Sequence, residues 1–165
     1  MLVDLDESVD ASELWPEQQL RDISSEVRWS VSSCKKDNGV EQLRDSSLDT
    51  YWQSDGPQPH LLNMMFTRCT AVAQVSLFLD VQLDESYTPE VVSLRAGNRH
   101  HDLREIRRLH LVEPSGWVHI PVNRPNRSVM RVFMLQLAVL KNHQSGKDTH
   151  IRQVRVWAHK QDRHL

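Results

Sequence analysis

Alternation of apolar and polar positions runs through most of the chain. In "HLLNMMF" (60–66), Leu62, Met64 and Phe66 fall on one side, and in "AQVSLFL" (73–79), Ala73, Val75, Leu77 and Leu79 do the same. "VVSLRAG" (91–97) turns Val92, Leu94 and Ala96 one way. Leu109 with Leu111, Val118 with Ile120 and Val122, and Val154 with Val156 repeat the pattern. "WSVSS" (29–33) also reads as a strand. "MRVFMLQLAVL" (130–140) is apolar on both parities, so it predicts a strand covered on both faces. A period of two marks strands whose alternate side chains enter a core. Turn-forming clusters separate the runs: "SDGPQP", "DESYTP", "EPSG" and "NRPN". Only "ASELWPEQQLRDISS" (11–25) predicts a short helix, capped by Ser12 or begun at Pro16, with Leu20 and Ile23 on one face. Short strands at this spacing, with no βαβ rhythm and no repeat, predict an all-β sandwich or barrel that presents loops at its ends.

Composition changes this picture little. With 165 residues and 39% hydrophobic content, the chain has the makings of one domain with a substantial core. A formal net charge of -2 gives no global field toward nucleic acid or anionic membrane. Basic residues do cluster in "RNRHHDLREIRRLH" and "NRPNRSVMR". Acidic residues interrupt the first and no aromatic interleaves the second, so both read as solvated faces. The two cysteines, Cys34 and Cys69, have neither zinc-ligand spacing nor the number of a disulfide framework, which favours a reducing compartment. Residues 1–11 are acidic and without periodicity and are expected to form a mobile arm, with no signal-peptide pattern.

The candidate chemistry lies in three loops. "GVEQLRDSSLDTYWQSDG" (39–56) is expected to pack Leu43 and Trp52 under the sandwich while Asp45 holds a turn; Gln53, Ser54 and Asp55 are then expected at an exposed rim. "DESYTP" (84–89) has adjacent carboxylates, Asp84 and Glu85, which do not make an acid–base dyad, and Tyr87, a side chain suited to recognition. "KNHQSGKDTH" (141–150) resembles the end of a phosphate-binding loop. However, it has Lys141 where the first glycine belongs and Asp148 where a hydroxyl must follow the lysine. Ser145 and Thr149 lack an orienting third group for nucleophilic catalysis. What remains is either a polar turn built on Ser145-Gly146 or a recognition loop whose amides and Asp148 offer donors and acceptors together. His100 and His101 would point to opposite faces of a strand, so no metal site is expected; His110 and His119 are expected on an exposed face.

Four long strings, "GVEQLRDSSLDTYWQSDGPQPH", "DESYTPEVVSLRAGN", "LVEPSGWVHI" and "AVLKNHQSGKDTHIRQVRVW", resemble the DOC-domain family over about residues 25–158. More narrowly, they are similar to its branch in the anaphase-promoting complex, the ubiquitin ligase of the cell cycle. The resemblance implies an arm and short helix over 1–24, a DOC domain over 25–158 and a short tail over 159–165. It implies an all-β jelly-roll sandwich like galactose-binding domains, with no cofactor and no catalytic residues. It also implies a non-catalytic co-receptor that holds destruction-box substrates together with a WD40 coactivator, beside the other subunits of the complex, in nucleus and cytoplasm. Neither nucleic acid nor membrane is expected as a partner. The degron-facing residues it implies are Asn142, His143, Gln144 and Asp148, joined by fold analogy by Ser54, Asp55, Ser86 and Tyr87. Family members usually continue into an Ile-Arg tail that docks on a TPR subunit. This sequence stops at "HKQDRHL", so the sandwich is expected to carry assembly contacts. The alternatives are a similar module of another ubiquitin ligase, or a glycan-binding module stacking sugar on Tyr87 or Trp117.

Overall fold

Ten strands, two short helices and several 3-10 turns make up the computed structural model, which describes residues 11–124 and 128–160. The strands are β1 (Leu20–Asp22), β2 (Arg28–Val31), β3 (Trp52–Gln53), β4 (His60–Asp80), β5 (Pro89–Gly97), β6 (Arg104–His110), β7 (Ser115–Pro121), β8 (Met130–Asn142), β9 (His150–Ile151) and β10 (Gln153–His159). The helices are α1 (Val40–Arg44) and α2 (Val81–Asp84). All strand pairs are antiparallel.

β4 links the two layers. Its first part pairs with β2 and with β8, which continues to β5 and β6. Its last part pairs with β7 on one side and β10, then β1, on the other. The register breaks between Met65 and Thr70, where Thr67, Arg68 and Cys69 are exposed. The two alternating runs are thus one strand, bulged and redirected in the middle, as strands that change sheets are. Leu62, Met64, Leu94 and Leu137 from one layer meet Val75, Leu77, Ile120, Val154 and Val156 from the other in a common core. β8 is buried from Met134 through Val139, which explains its apolar residues on both parities.

The structure corrects several expectations. The helix over 11–25 is instead two 3-10 turns, Ala11–Glu13 and Glu17–Gln19, after which Leu20 pairs with His159 as the start of β1. The exchange is physical: a short helix in isolation is marginal, whereas an edge on β10 satisfies backbone groups directly. Conversely, the 39–56 segment contains α1, begun where the Gly39 N–H donates to Gln42 Oε1 at 2.7 Å. His119 is half-buried rather than exposed. Its Nδ1 lies 2.7 Å from Ser76 Oγ, and burial holds its pKa below the usual imidazole value. His110 is exposed as expected and sits 3.1 Å from Glu90. The expected mobile arm falls almost wholly on residues 1–10, and most of the tail on 161–165; both stretches lie outside the described residues.

Leu43 and Trp52 are fully buried, as the sequence predicts, and Trp52 Nε1 donates to the Ser33 carbonyl at 2.9 Å. Asp45 holds its turn by accepting from Ser47 N at 3.0 Å and from Thr50 Oγ1. This packed segment carries residues 53–55 to the end of the sandwich where β8 finishes.

Candidate recognition surface

β8 delivers the chain to this end at Asn142, which pairs with Pro89 at the start of β5. The chain then turns through His143–Ser145. Gln144 (φ 54°) and Ser145 (φ 57°) both take the left-handed conformation, and both are exposed. The turn closes with Gly146 N donating to the His143 carbonyl at 3.0 Å. Gly146 cannot carry a side chain here: a Cβ would sit 1.8 Å from the Ser86 carbonyl oxygen. This contact presses the 143–146 turn onto the 85–87 turn.

Buried side chains hold the loop from beneath. Asn142 is fully buried, and its Nδ2 donates to the carbonyls of Gly146 (3.2 Å) and Asp148 (2.9 Å). Ser54 is also fully buried. Its Oγ donates to Asp148 Oδ1 at 3.0 Å and accepts from Thr149 N at 2.9 Å. His60 Nε2 donates to the Lys147 carbonyl, and Gln58 Nε2 to the carbonyls of Gly146 and Lys147. Thr149 Oγ1 donates to the Tyr87 carbonyl at 3.2 Å. Ser54, expected at an exposed rim, is therefore a buried tie between two loops. Asp55 beside it is exposed, and Gln53 is half-buried.

Behind the loop lies a polar layer invisible to motif reasoning. The His150 ring is stacked between Tyr51 (4.0 Å, 23°) and Tyr87 (4.1 Å, 13°). Its Nδ1 meets Asp84 Oδ1 at 3.0 Å and its Nε2 meets Gln53 Oε1 at 2.9 Å. Asp84 takes two further bonds from Arg152, Nε to Oδ2 and Nη2 to Oδ1, both at 2.9 Å. Burial alone would push the Asp84 carboxyl up, but the bonds from His150 and Arg152 outweigh it and hold the group below the usual carboxylate range. Donating to Asp84 likewise raises the pKa of the Arg152 guanidinium against the opposing pull of burial. Arg152 Nη1 also donates to the Leu48 carbonyl at 2.6 Å. Asp84 is thus a buried structural anion and Glu85 its exposed neighbour. α2 exists to make this placement: Asp80 caps it by accepting from Gln82 N (3.0 Å) and Leu83 N (3.4 Å), and one turn later Asp84 faces inward.

All eight residues singled out in the sequence come to this one end. Gln144 and Asp55 are exposed, and Tyr87 presents 38% of its surface while its ring stays stacked on His150. His143, Ser86 and Asp148 are half-buried; Asn142 and Ser54 lie underneath. The end is also under-satisfied: Asn142 Oδ1, His143 Nε2, Thr88 Oγ1 and His60 Nδ1 are buried without a hydrogen-bond partner. Such groups concentrate where a structure serves function rather than stability. Among the described residues no cluster of His, Cys, Asp or Glu could hold a metal ion. Cys34 and Cys69 are free and exposed. No helix of the described residues is long and apolar enough to cross a membrane.

Residues 5–165 match the family model for anaphase-promoting complex, subunit 10. The chain belongs to that family. It is 54% identical over 138 residues to anaphase-promoting complex subunit 10 of Homo sapiens, covering 84% of this chain and 75% of the human one. It is 48% identical to the Drosophila melanogaster subunit 10, covering 88% and 74%. To subunit DOC1 of Saccharomyces cerevisiae it is 35% identical, covering 82% and 55%. Among solved structures it is similar to a family 32 carbohydrate-binding module of Clostridium perfringens in complex with galactose. That match has a TM-score of 0.69 and 12% identity, over 84% of this chain and 98% of the module. An F5/8 type C domain from Bacteroides fragilis matches with a TM-score of 0.69 and 12% identity, over 87% and 99%. At such identities these two likenesses show the fold alone: a jelly-roll sandwich of the discoidin type. As a member of the subunit 10 family, the chain has the other subunits of the anaphase-promoting complex as its partners, and ubiquitin conjugation in the cell cycle as its setting.

Proposed function

We propose that this end of the sandwich is a non-catalytic degron-binding surface, which holds destruction-box substrates in concert with a WD40 coactivator. The observation that carries this reading is the loop itself. Buried ties from Asn142, Ser54 and His60 fix the backbone of residues 142–149, while Gln144 and Ser145 are turned outward beside Tyr87 and Asp55. A pre-ordered polar loop loses little entropy when an extended peptide binds. Gln144 offers a donor and an acceptor to a peptide backbone, Tyr87 an aromatic face, and Asp55 and Asp148 carboxylates to a basic side chain. Ser54 pairs with the Asp148 carboxylate but is fully buried, so its hydroxyl ties loops together and does not meet a ligand, which supports holding rather than chemistry. Contact area of this kind gives slight affinity, so a second receptor acting at high effective concentration is part of the proposal.

In the reassembled ligase, Gln144→Ala with Tyr87→Ala is expected to reduce the number of ubiquitins added per encounter to a destruction-box substrate several-fold. A substrate recruited by another degron should be unaffected. Equal loss on both substrates would sink the proposal. The proposed setting in nucleus and cytoplasm follows the same reading.

A further inference from the structure

The two basic clusters of the sequence, separate along the chain, meet at the opposite end of the sandwich. β8 runs from Met130 to Asn142, so this second end lies roughly 40 Å from the recognition loop at about 3.3 Å per residue. There a groove of about 560 Å³ runs between β6 and the start of β8. Its floor is apolar, with Ile106, Met130 and Val132, and its walls carry Arg104, Arg124 and Arg131. Arg104 and Arg124 are exposed, and no Asp or Glu among the described residues lines the groove. An adjoining hollow adds Arg99 and His101 beside Phe133, which is 39% exposed. The carboxylate there, Asp102, is exposed but engaged by backbone: its Oδ1 accepts from Asn98 N at 2.9 Å and Arg99 N at 2.8 Å. β6 is also the last strand of its layer, so an extended chain can lie along it.

A chain of net charge -2 that gathers guanidinium groups around an apolar floor is selecting for an anion with an apolar side chain. A phosphate backbone would use the arginines but leave the floor of Ile106, Met130 and Val132 unmatched. We propose that this groove docks an extended acidic segment of another subunit of the complex. Carboxylates of that segment meet Arg104 and Arg124, and an apolar side chain settles on Met130. The inference rests on membership of the subunit family and is independent of the degron reading. It gives the molecule two working ends, one for assembly and one for substrate.

The test is reconstitution of the complex from purified subunits with Arg104→Glu plus Arg124→Glu. Incorporation of the double variant should fall at least tenfold, and incorporation of the unaltered chain should weaken steeply with salt. Arg104→Lys plus Arg124→Lys should assemble nearly normally, and both variants should keep the parent Tm because the side chains are exposed. A photo-cross-linking residue at position 130 should join a stretch rich in Asp and Glu on a neighbouring subunit. Normal incorporation of the Glu variant, or a cross-link to an uncharged or basic stretch, overturns the proposal. So does tight binding of a single-stranded oligonucleotide that the Glu variant abolishes, since that assigns the groove to nucleic acid. Degron-dependent ubiquitination per assembled complex should be unchanged by the Glu variant. The two readings therefore fail separately.

Discussion

At the residue scale, the loop divides into side chains that build the surface and side chains that present it. Asn142 belongs to the first kind. Asn142→Ala removes two buried bonds and leaves the carbonyls of Gly146 and Asp148 unmatched, at a cost of about 2 kcal/mol. Thermal unfolding should therefore start several degrees lower. Gln144→Ala, on an exposed side chain, should leave the melting curve unchanged. Combining Asn142→Ala with Gln144→Ala would confuse loss of binding with loss of the loop. Asp84 sets a second residue-scale expectation. Its folded pKa is depressed, so its contribution is complete above the unfolded value of about 3.9 and is lost as pH falls below that toward the folded value. Asp84→Asn leaves Arg152 buried without its anion, for a loss of about 3–5 kcal/mol near neutral pH. Calorimetry from pH 7 to pH 2.5 should show the gap between the parent and Asp84→Asn narrowing only in the acid range. A constant gap would mean that Asp84 carries no charge in the fold.

At the element scale, what could be read from the sequence follows from periodicity. Val92, Leu94 and Ala96, or Val154 and Val156, announce inward faces because alternate residues of a strand point into the apolar core. Three features escaped that signal. The joining of 60–66 to 73–79 as one strand depends on a bulge, which leaves no period. β1 forms only because β10 offers an edge, a partner 135 or more residues away in sequence. α1 and α2 are too short for a helical period to register. The site was legible as a polar loop between two strands, but the roles inside it were not. Burial of Ser54 and Asn142, and the stacking of His150 between two tyrosines, come from three loops meeting in space. Gly146 is where element packing is most demanding. Gly146→Ala must separate the 143–146 and 85–87 turns, at a cost of about 1–3 kcal/mol. In contrast to Gln144→Ala, it should lower both Tm and degron-dependent processivity.

At the scale of the whole molecule, the sandwich separates two chemistries along β8. The end at Asn142 presents amides, hydroxyls and carboxylates over a buried ionic layer; the end at Met130 presents arginines around an apolar floor. Between them a common core keeps the ends in fixed relation, so under the two proposals a substrate held at one end would be held relative to a subunit docked at the other. The measurement that bears most directly on this picture is amide NMR of the labelled chain with a WD40 coactivator domain, titrated with a destruction-box peptide. The shifts should centre on Gln144, Ser145, Tyr87 and Asp55 and vanish when the degron residues of the peptide are replaced. Shifts centred instead around Arg104 and Met130, or none at all beyond those caused by the coactivator, would contradict it.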